Sequence, residues 1–443
     1  MTECKTECII KTNKCSISGE EGRMTKERIY YCIDMKCFFA SVECAERGLD
    51  PFTTPLVVAD EARGGGAICL AVSPYMKQLG VKNRCRLFEI PKSINYLIAK
   101  PRMQKYIEYA ADIYEIYLRY ISPNDIHVYS IDEAFIDATD YLKCYQKDPK
   151  AFARFLLSEI AKDKKIPATV GVGTNLYLAK VALDITAKQS PDHIAMLDEE
   201  SYRETLWHHQ PLTDFWQIAG GTVKKLSRYA IFDMRGIAKA PEEMLYRLFG
   251  VNAELLIDHA WGRESCTIAD IKAYKSKSHS MSSSQILFSD YTFDKAAVVV
   301  AEMVRNSCQE LMRRRVITSK VSLYVGYSKD SLPAAKGSVR MTATTQVYSV
   351  ILPYVMGLFE KITDRKTPIR RIGLTFCDLV SDGWEGYDLF TDIEAVEREK
   401  TLEHTVLDIK DKFGKNSMLR LSNLQEGATA RERNKLIGGH NGE

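Results

Sequence analysis

Two carboxylates, Asp132 and Glu133, stand inside the run Ser130-Ile131-Asp132-Glu133-Ala134-Phe135-Ile136-Asp137, which otherwise has the apolar character of a buried strand. An unpaired charge in such a place is costly, so the run has to fold where something cationic meets it. Tyr30-Tyr31-Cys32-Ile33-Asp34-Met35 repeats the arrangement with one acid. Three carboxylates on two strands describe a site for hard divalent cations, which take oxygen ligands, and point to phosphoryl transfer with two metals. Strand alternation sets Asp132 and Glu133 on opposite faces, so both reach one metal pair only where the strand ends or bends. The bland reading makes Asp132 a turn residue and Glu133 a solvated one; Asp34 in matching context weighs against it.

The elements around these acids follow a recurring order. Tyr30–Met35 reads as strand, Phe38–Ala45 as helix, Leu56–Ala59 and Ile68–Val72 as short strands, and Ser73-Pro74 as the opening of a helix that ends near Gly80. Apolar residues at Ile107, Ala111, Tyr114, Leu118 and Ile121 predict a helix over Gln104–Ile121. A hairpin of His127–Ile131 and Ala134–Ala138, a helix over Phe152–Ala161 and a strand over Ala168–Val172 follow. The sum is a split βαββαβ pattern interrupted by the Leu56–Gly80 insertion. The pattern recurs as Ser283–Phe288, Ala296–Arg315, Lys320–Tyr327, Val339–Gln346, Tyr348–Ile362 and Ile369–Cys377. Small helices joined by glycine-containing turns fill residues 200–275.

At 443 residues the chain is long enough for several domains. Its 12 cysteines have no C-x-x-C spacing and the 8 histidines do not pair with them at ligand spacing, which argues against zinc and against a disulfide framework. No run is long enough to span a bilayer, and residues 1–23 lack a signal-peptide core, so a cytoplasmic protein is expected. Those residues read as a disordered leader, with Met24 just ahead of the first strand. Lys and Arg outnumber Asp and Glu from Met281 to Val380, and the balance reverses from Ser381 onward. A basic module followed by an acidic tail fits a phosphate-backbone contact followed by an element that does not touch DNA.

Three further motifs carry chemistry. Gly171-Val172-Gly173-Thr174-Asn175-Leu176-Tyr177-Leu178-Ala179-Lys180 reads as strand, glycine loop and helix start, where amides and a lysine attract phosphate. Lys77, Lys82 and Arg84 form a basic segment suited to a triphosphate. Asp214–Leu226, with Gly220-Gly221 and then Lys224-Lys225, has the form of a helix-hairpin-helix that holds a DNA phosphate on backbone amides. Alone, each is as well explained by a turn or a solvated helix face.

Together these segments resemble the Y-family DNA polymerases, the UmuC/DinB-like translesion enzymes. The resemblance rests on Asp34-Met35-Lys36-Cys37-Phe38-Phe39-Ala40-Ser41-Val42-Glu43, on Ser130–Phe135, on Gly171–Lys180 and on Ile369-Arg370-Arg371-Ile372-Gly373-Leu374. Leu56–Pro91 and Arg420–His440 look closest to the Gram-positive UV-repair (UvrX-like) branch. The resemblance implies an α+β multi-domain, right-hand polymerase. Its palm, a βαββαβ unit, would take residues 24–37 and 101–199, with small fingers at 38–100. A helix-hairpin-helix thumb at 200–275, a βαββαβ little finger at 276–380, and an acidic tail with a partner motif and helix at 381–443 complete it.

It further implies catalysis by Asp34, Asp132 and Glu133, which with the Met35 carbonyl would hold two Mg²⁺ ions. Phe38, Phe39, Lys77 and Lys180 would bind the nucleotide, Phe39 being the steric gate against a ribose 2′-hydroxyl. Gly220, Gly221, Lys224, Arg340, Arg370 and Arg371 would contact DNA, and Leu389 and Phe390 a sliding clamp. The implied partners are primer–template DNA, dNTPs, the clamp and a recombinase filament, with the protein a monomer away from membranes and acting in DNA repair and the SOS response. Two departures stand out: Pro74 precedes Tyr75 where the family's triphosphate helix starts with tyrosine, and Gln217-Ile218-Ala219 replaces a Gly-Ile-Gly hairpin. The alternatives are a catalytically silent DNA-binding accessory protein of the same fold and, less well supported, a palm-fold nucleotide cyclase.

Overall fold

The computed structural model describes residues 28–276 and 279–442, so the expected leader over residues 1–23 lies outside the described residues. The described residues form two units, one over 28–274 with 440–442 and one over the described part of 275–439. Among the described residues no helix is long and apolar enough to cross a membrane.

In the first unit the strands, in chain order, are β1 (Tyr30–Met35), β2 (Leu56–Val58), β3 (Ala71–Val72), β4 (Leu97–Ala99), β5 (Ile126–Val128), β6 (Glu133–Asp137), β7 (Ala168–Gly173) and β8 (Ile194–Leu197). The main sheet has the order β5-β6-β1-β7-β8. β1 runs antiparallel to both neighbours, with Asp34 opposite Glu133 on one side and Thr169 on the other. Side chains alternate along β1. Tyr31 faces the Pro149–Lys164 helix, its hydroxyl donating to the Pro149 carbonyl at 2.7 Å. Tyr30 and Cys32 turn the other way, into a cluster with Phe135, Leu176, Ala179 and Leu183. Asp34 shares that second face.

The glycines of β7 explain how closely this face is covered. A Cβ on Gly171 would collide with the Ala179 carbonyl and the Leu183 backbone, and one on Gly173 with the Ala179 amide. Gly171 lies within the buried strand as expected and Gly173, expected in the loop after it, ends that strand; both let the Leu176–Val181 helix settle directly on the sheet. That helix start is closed by Asn175, which accepts from the Leu178 amide at 2.8 Å and donates to the Gly262 carbonyl at 2.8 Å. Its amides are therefore partly engaged already.

A small sheet of order β3-β2-β4 carries the Pro74–Gln78 helix, whose first turn is capped by Ser73 accepting from the Met76 amide at 3.2 Å. Of the longer strand expected over Ile68–Val72, only Ala71–Val72 pairs with β2; Ile68 bridges to Arg86 instead. Residues 199–273 form short helices around Tyr202, Phe215, Leu226, Met234 and Leu245. Here Gly220 and Gly221 are the first residues of the Gly220–Ser227 helix, and no hairpin forms on them. The preceding turn instead places Gln217 at φ 67°, the left-handed region.

The second unit contains β9 (Met281–Tyr291), β10 (Val316–Tyr327), β11 (Ala335–Thr345) and β12 (Ile369–Cys377), in the order β11-β10-β12-β9. The helices Phe293–Arg314 and Tyr348–Ile362 bury one face of this sheet around Val321, Leu323, Ile351, Phe359, Ile372 and Phe376. A further helix, Ile393–Phe413, is bound to the Phe293–Arg314 helix through buried Glu403, which pairs with Arg305 and Arg420 and accepts from Gln309 at 2.9 Å.

Overpacking against fixed backbone destabilises by about 1–3 kcal/mol, and more where nothing can move. Gly173→Ala is therefore expected to cost about 3 kcal/mol or more, read as a lowered urea midpoint. An unchanged midpoint would disprove the close-approach role.

Candidate active site

The site grows from the β1–β6 pairing. Asp34 and Glu133 are directly opposed residues of an antiparallel pair, a geometry that holds Cβ atoms about 5 Å apart and penalises like charges. Glu133 opens β6, while Asp132 lies in the turn before it. The strand thus ends between the two acids, which is the condition for both to serve one place. Asp132 is held from both sides: its carbonyl accepts from the Met35 amide at 2.9 Å and its carboxylate from the Ser130 hydroxyl at 2.6 Å.

Cations from the covering helix answer these acids. Lys180 is nearly buried and pairs with Glu133 at 2.7 Å and Asp184 at 2.9 Å. Lys188 pairs with Asp184 at 2.8 Å and reaches Asp34 at 3.9 Å. Cys32 donates its thiol to Glu133 at 3.0 Å. Burial pushes Asp34 up to about 7; Lys188 opposes that shift, and Asp132 and Glu133 reinforce it. Burial alone would lower the Lys180 ammonium pKa, but Cys32, Glu133 and Asp184 outweigh it and push it up. Among the described residues no three His, Cys, Asp or Glu side chains already converge as a closed cage, Glu133 being turned to Lys180 and Asp132 to the Ser130 hydroxyl. Three carboxylates that repel one another, with a carbonyl-bearing Met35 beside them, nonetheless fit oxygen-seeking dications.

Beside the acids the chain turns at Cys37 (φ 52°) into the Phe38–Glu46 helix. Phe38 is buried and Phe39 half-buried. The Phe39 ring stacks on Tyr106 with centroids 4.5 Å apart and planes 19° from parallel. Tyr106 donates its hydroxyl at 2.8 Å to Glu43, which is fully buried and gripped by Arg102 at 3.0 and 2.9 Å and by Arg47. Burial alone would raise Glu43, but these hydrogen bonds win and hold it below the usual carboxylate range. Lys77 is exposed, and burial pushes the Cys37 thiol up, with Lys77 opposing the shift. Lys77 and Lys180 thus stand on different elements, the Pro74–Gln78 and Leu176–Val181 helices, and Lys180 is the one paired with an acid of the site.

Gly220, Gly221 and Lys224 are exposed on their helix. In the second unit Arg340 and Arg371 stand on the sheet face away from the helices, Arg340 paired with Asp378 at 2.9 Å and Arg371 5.5 Å from the Tyr324 ring centre. Arg370 sits at a register irregularity and pairs with Asp290 at 3.4 Å. Lys336 also lies 5.8 Å from the Tyr324 ring. Leu389 and Phe390 are 100% and 95% exposed. The sequence reading missed Asp184, Lys188, Tyr106, Glu43 and Lys336; the four-residue steps from Lys180 to Asp184 to Lys188 were the available signal for the first two.

Family models match the chain twice: the impB/mucB/samB family over residues 33–184 and its C-terminal domain over residues 278–389. The chain is 33% identical to the putative UV-damage repair protein UvrX of Bacillus subtilis (strain 168) over 92% of its own length and 96% of that protein. It is 30% identical to DNA polymerase IV 2 of the same organism, over 94% of this chain and 100% of the relative. Among solved structures, the Y-family DNA polymerase chimera Dbh-Dpo4(243-245)-Dbh aligns with a TM-score of 0.61 at 21% identity, covering 80% of this chain and 99% of the chimera. That likeness is one of fold.

The raised Asp34 value fixes a sign. Its folded pKa of about 7 lies above the ordinary 3.8, so its contribution to stability is fully present below about 3.8 and lost as pH rises through 7. Melting temperature is expected to fall between pH 5 and pH 8, with a shallower fall in Asp34→Asn. Mg²⁺ is expected to raise the wild-type melting temperature more at pH 8 than at pH 5. Equal Mg²⁺ shifts at both pH values would contradict a cation at Asp34.

Proposed function

The chain belongs to the impB/mucB/samB family, the Y-family DNA polymerases, and from that premise we propose that it is a translesion-type DNA polymerase acting in DNA repair and the SOS response, with its nucleotidyl-transfer site at Asp34, Asp132 and Glu133. The observation that carries the site is the direct opposition of Asp34 and Glu133 across β1 and β6, with Asp132 in the adjoining turn. The domain division follows the family: palm over 24–37 and 101–199, fingers over 38–100, thumb over 200–275, little finger over 276–380.

Asp34, Asp132, Glu133 and the Met35 carbonyl would hold two Mg²⁺ ions. Bound there, Mg²⁺ would supply activation of a primer 3′-hydroxyl and neutralisation of triphosphate charge. The chain's own side chains do the rest. Lys77 and Lys180 bring positive charge to the triphosphate. Phe39, braced by Tyr106, meets the sugar and leaves no room for a 2′-hydroxyl. Arg340, Arg370 and Arg371 with the exposed Lys224 and the amides of Gly220 and Gly221 contact the duplex backbone. Leu389 and Phe390, wholly exposed, are an apolar anchor suited to a sliding clamp.

Purified protein with Mg²⁺ and dNTPs is expected to extend a primer, and Asp132→Ala and Glu133→Ala to lose about a thousandfold or more, the effect of several kcal/mol of lost transition-state stabilisation. Wild-type protein that binds primer–template without extending it would favour the silent accessory reading. Phe39→Ala is expected to admit ribonucleotides; unchanged sugar selectivity would remove the gate assignment. DNA affinity should fall steeply with salt, and a flat response would remove the basic face as the DNA grip.

A further inference from the structure

Five charged side chains around the site alternate in sign. Glu133 pairs with Lys180 at 2.7 Å, Lys180 with Asp184 at 2.9 Å, Asp184 with Lys188 at 2.8 Å, and Lys188 reaches Asp34 at 3.9 Å. Asp34 closes the circuit by facing Glu133 across the strand pair. Each lysine therefore has two anionic partners, one a carboxylate assigned to the metal and the other Asp184. We infer that Asp184 is a positioning residue that draws Lys180 and Lys188 off Glu133 and Asp34, and so sets how tightly those carboxylates bind divalent cations; this rests on the metal role proposed above.

The chain geometry supports a built arrangement. Over eight residues an α-helix would carry Lys188 about 80° round from Lys180. Residues Ala182–Ala187 instead form a π turn, which winds less per residue and returns Lys188 to the same face. Such turns are rare and concentrate at functional sites. A lysine is a flexible point charge and competes with a dication for the same carboxylate oxygens. Asp184 gives each lysine another place to rest when the cation arrives. The plain alternative is a helix-surface ion pair, which matters little; Lys180, with only 9% of its side chain exposed, is not such a surface group.

The test is Mn²⁺ binding to the full chain, without DNA or nucleotide, followed by the paramagnetic resonance signal of free Mn²⁺. Asp184→Asn is expected to weaken binding about tenfold, the usual effect of losing a group that orients metal ligands. Lys188→Ala is expected to tighten it about threefold. If Asp184 acts through the lysines, its tenfold effect falls to about threefold in the Lys188→Ala background. The same factor in both backgrounds means a direct charge effect and overturns the inference. Where Asp184→Asn does not fold, Lys188→Ala decides: unchanged or weaker binding overturns it. Mn²⁺ binding that survives Asp34→Asn removes the metal role itself, and this inference with it, whereas binding lost in Asp34→Asn but unmoved by the other variants removes the inference alone.

Discussion

Two like charges face each other across the centre of the main sheet, and much of the first unit can be understood as the answer to that repulsion. Directly opposed acids weaken a strand pair, yet β1 and β6 pair through this register. The compensation comes from Lys180 and Lys188, and their placement depends in turn on how the helix that carries them meets the sheet. Gly171 and Gly173 allow that approach by lacking side chains. The opposed acids, the lysines and the strand glycines therefore form one solution. None of the three makes sense without the other two.

The sequence made the strands and long helices legible because their hydrophobic periodicity is strong. Asp34, Asp132 and Glu133 stand out in the string as acids in apolar runs, and the fold sets Asp34 opposite Glu133 with Asp132 in the adjoining turn. What the sequence hid was tertiary. A glycine that turns a loop and a glycine that lets a helix settle look the same in a string, so the strand runs one residue further than expected, through Gly173. β4 and β8 are three and four residues long, and each pairs in parallel with a strand distant in the chain, so neither has a local signal. The Phe39–Tyr106 stack joins residues from separate helices. Only folding reveals that a buried glutamate, held by two arginines, lies behind it.

The second unit shows a different use of buried charge. Glu302 accepts from the amides of Thr429 and Ala430 at 2.8 and 3.0 Å and from Asn423 at 2.9 Å. With Glu403, it fastens the last stretch of this unit to the Phe293–Arg314 helix. Breaking such a pair from one side is far costlier than never having built it. The matched C-terminal family domain ends at residue 389, so this binding belongs to chain beyond it, on the side of the sheet opposite Arg340 and Arg371.

That fastening changes what Leu389 and Phe390 are. Before them, Tyr387 is tied by its hydroxyl to Thr345 and Glu385. Just after them, Asp392 caps the bound Ile393–Phe413 helix, accepting from the Ala395 amide at 3.0 Å. The two apolar side chains form a short knuckle pinned at both ends, with no slack cord behind it. Anything that grasps the knuckle takes hold of the whole unit in one orientation, as a hand grips a fixed handle. A flexible tether would give reach at the expense of direction; here direction is kept and reach is given up.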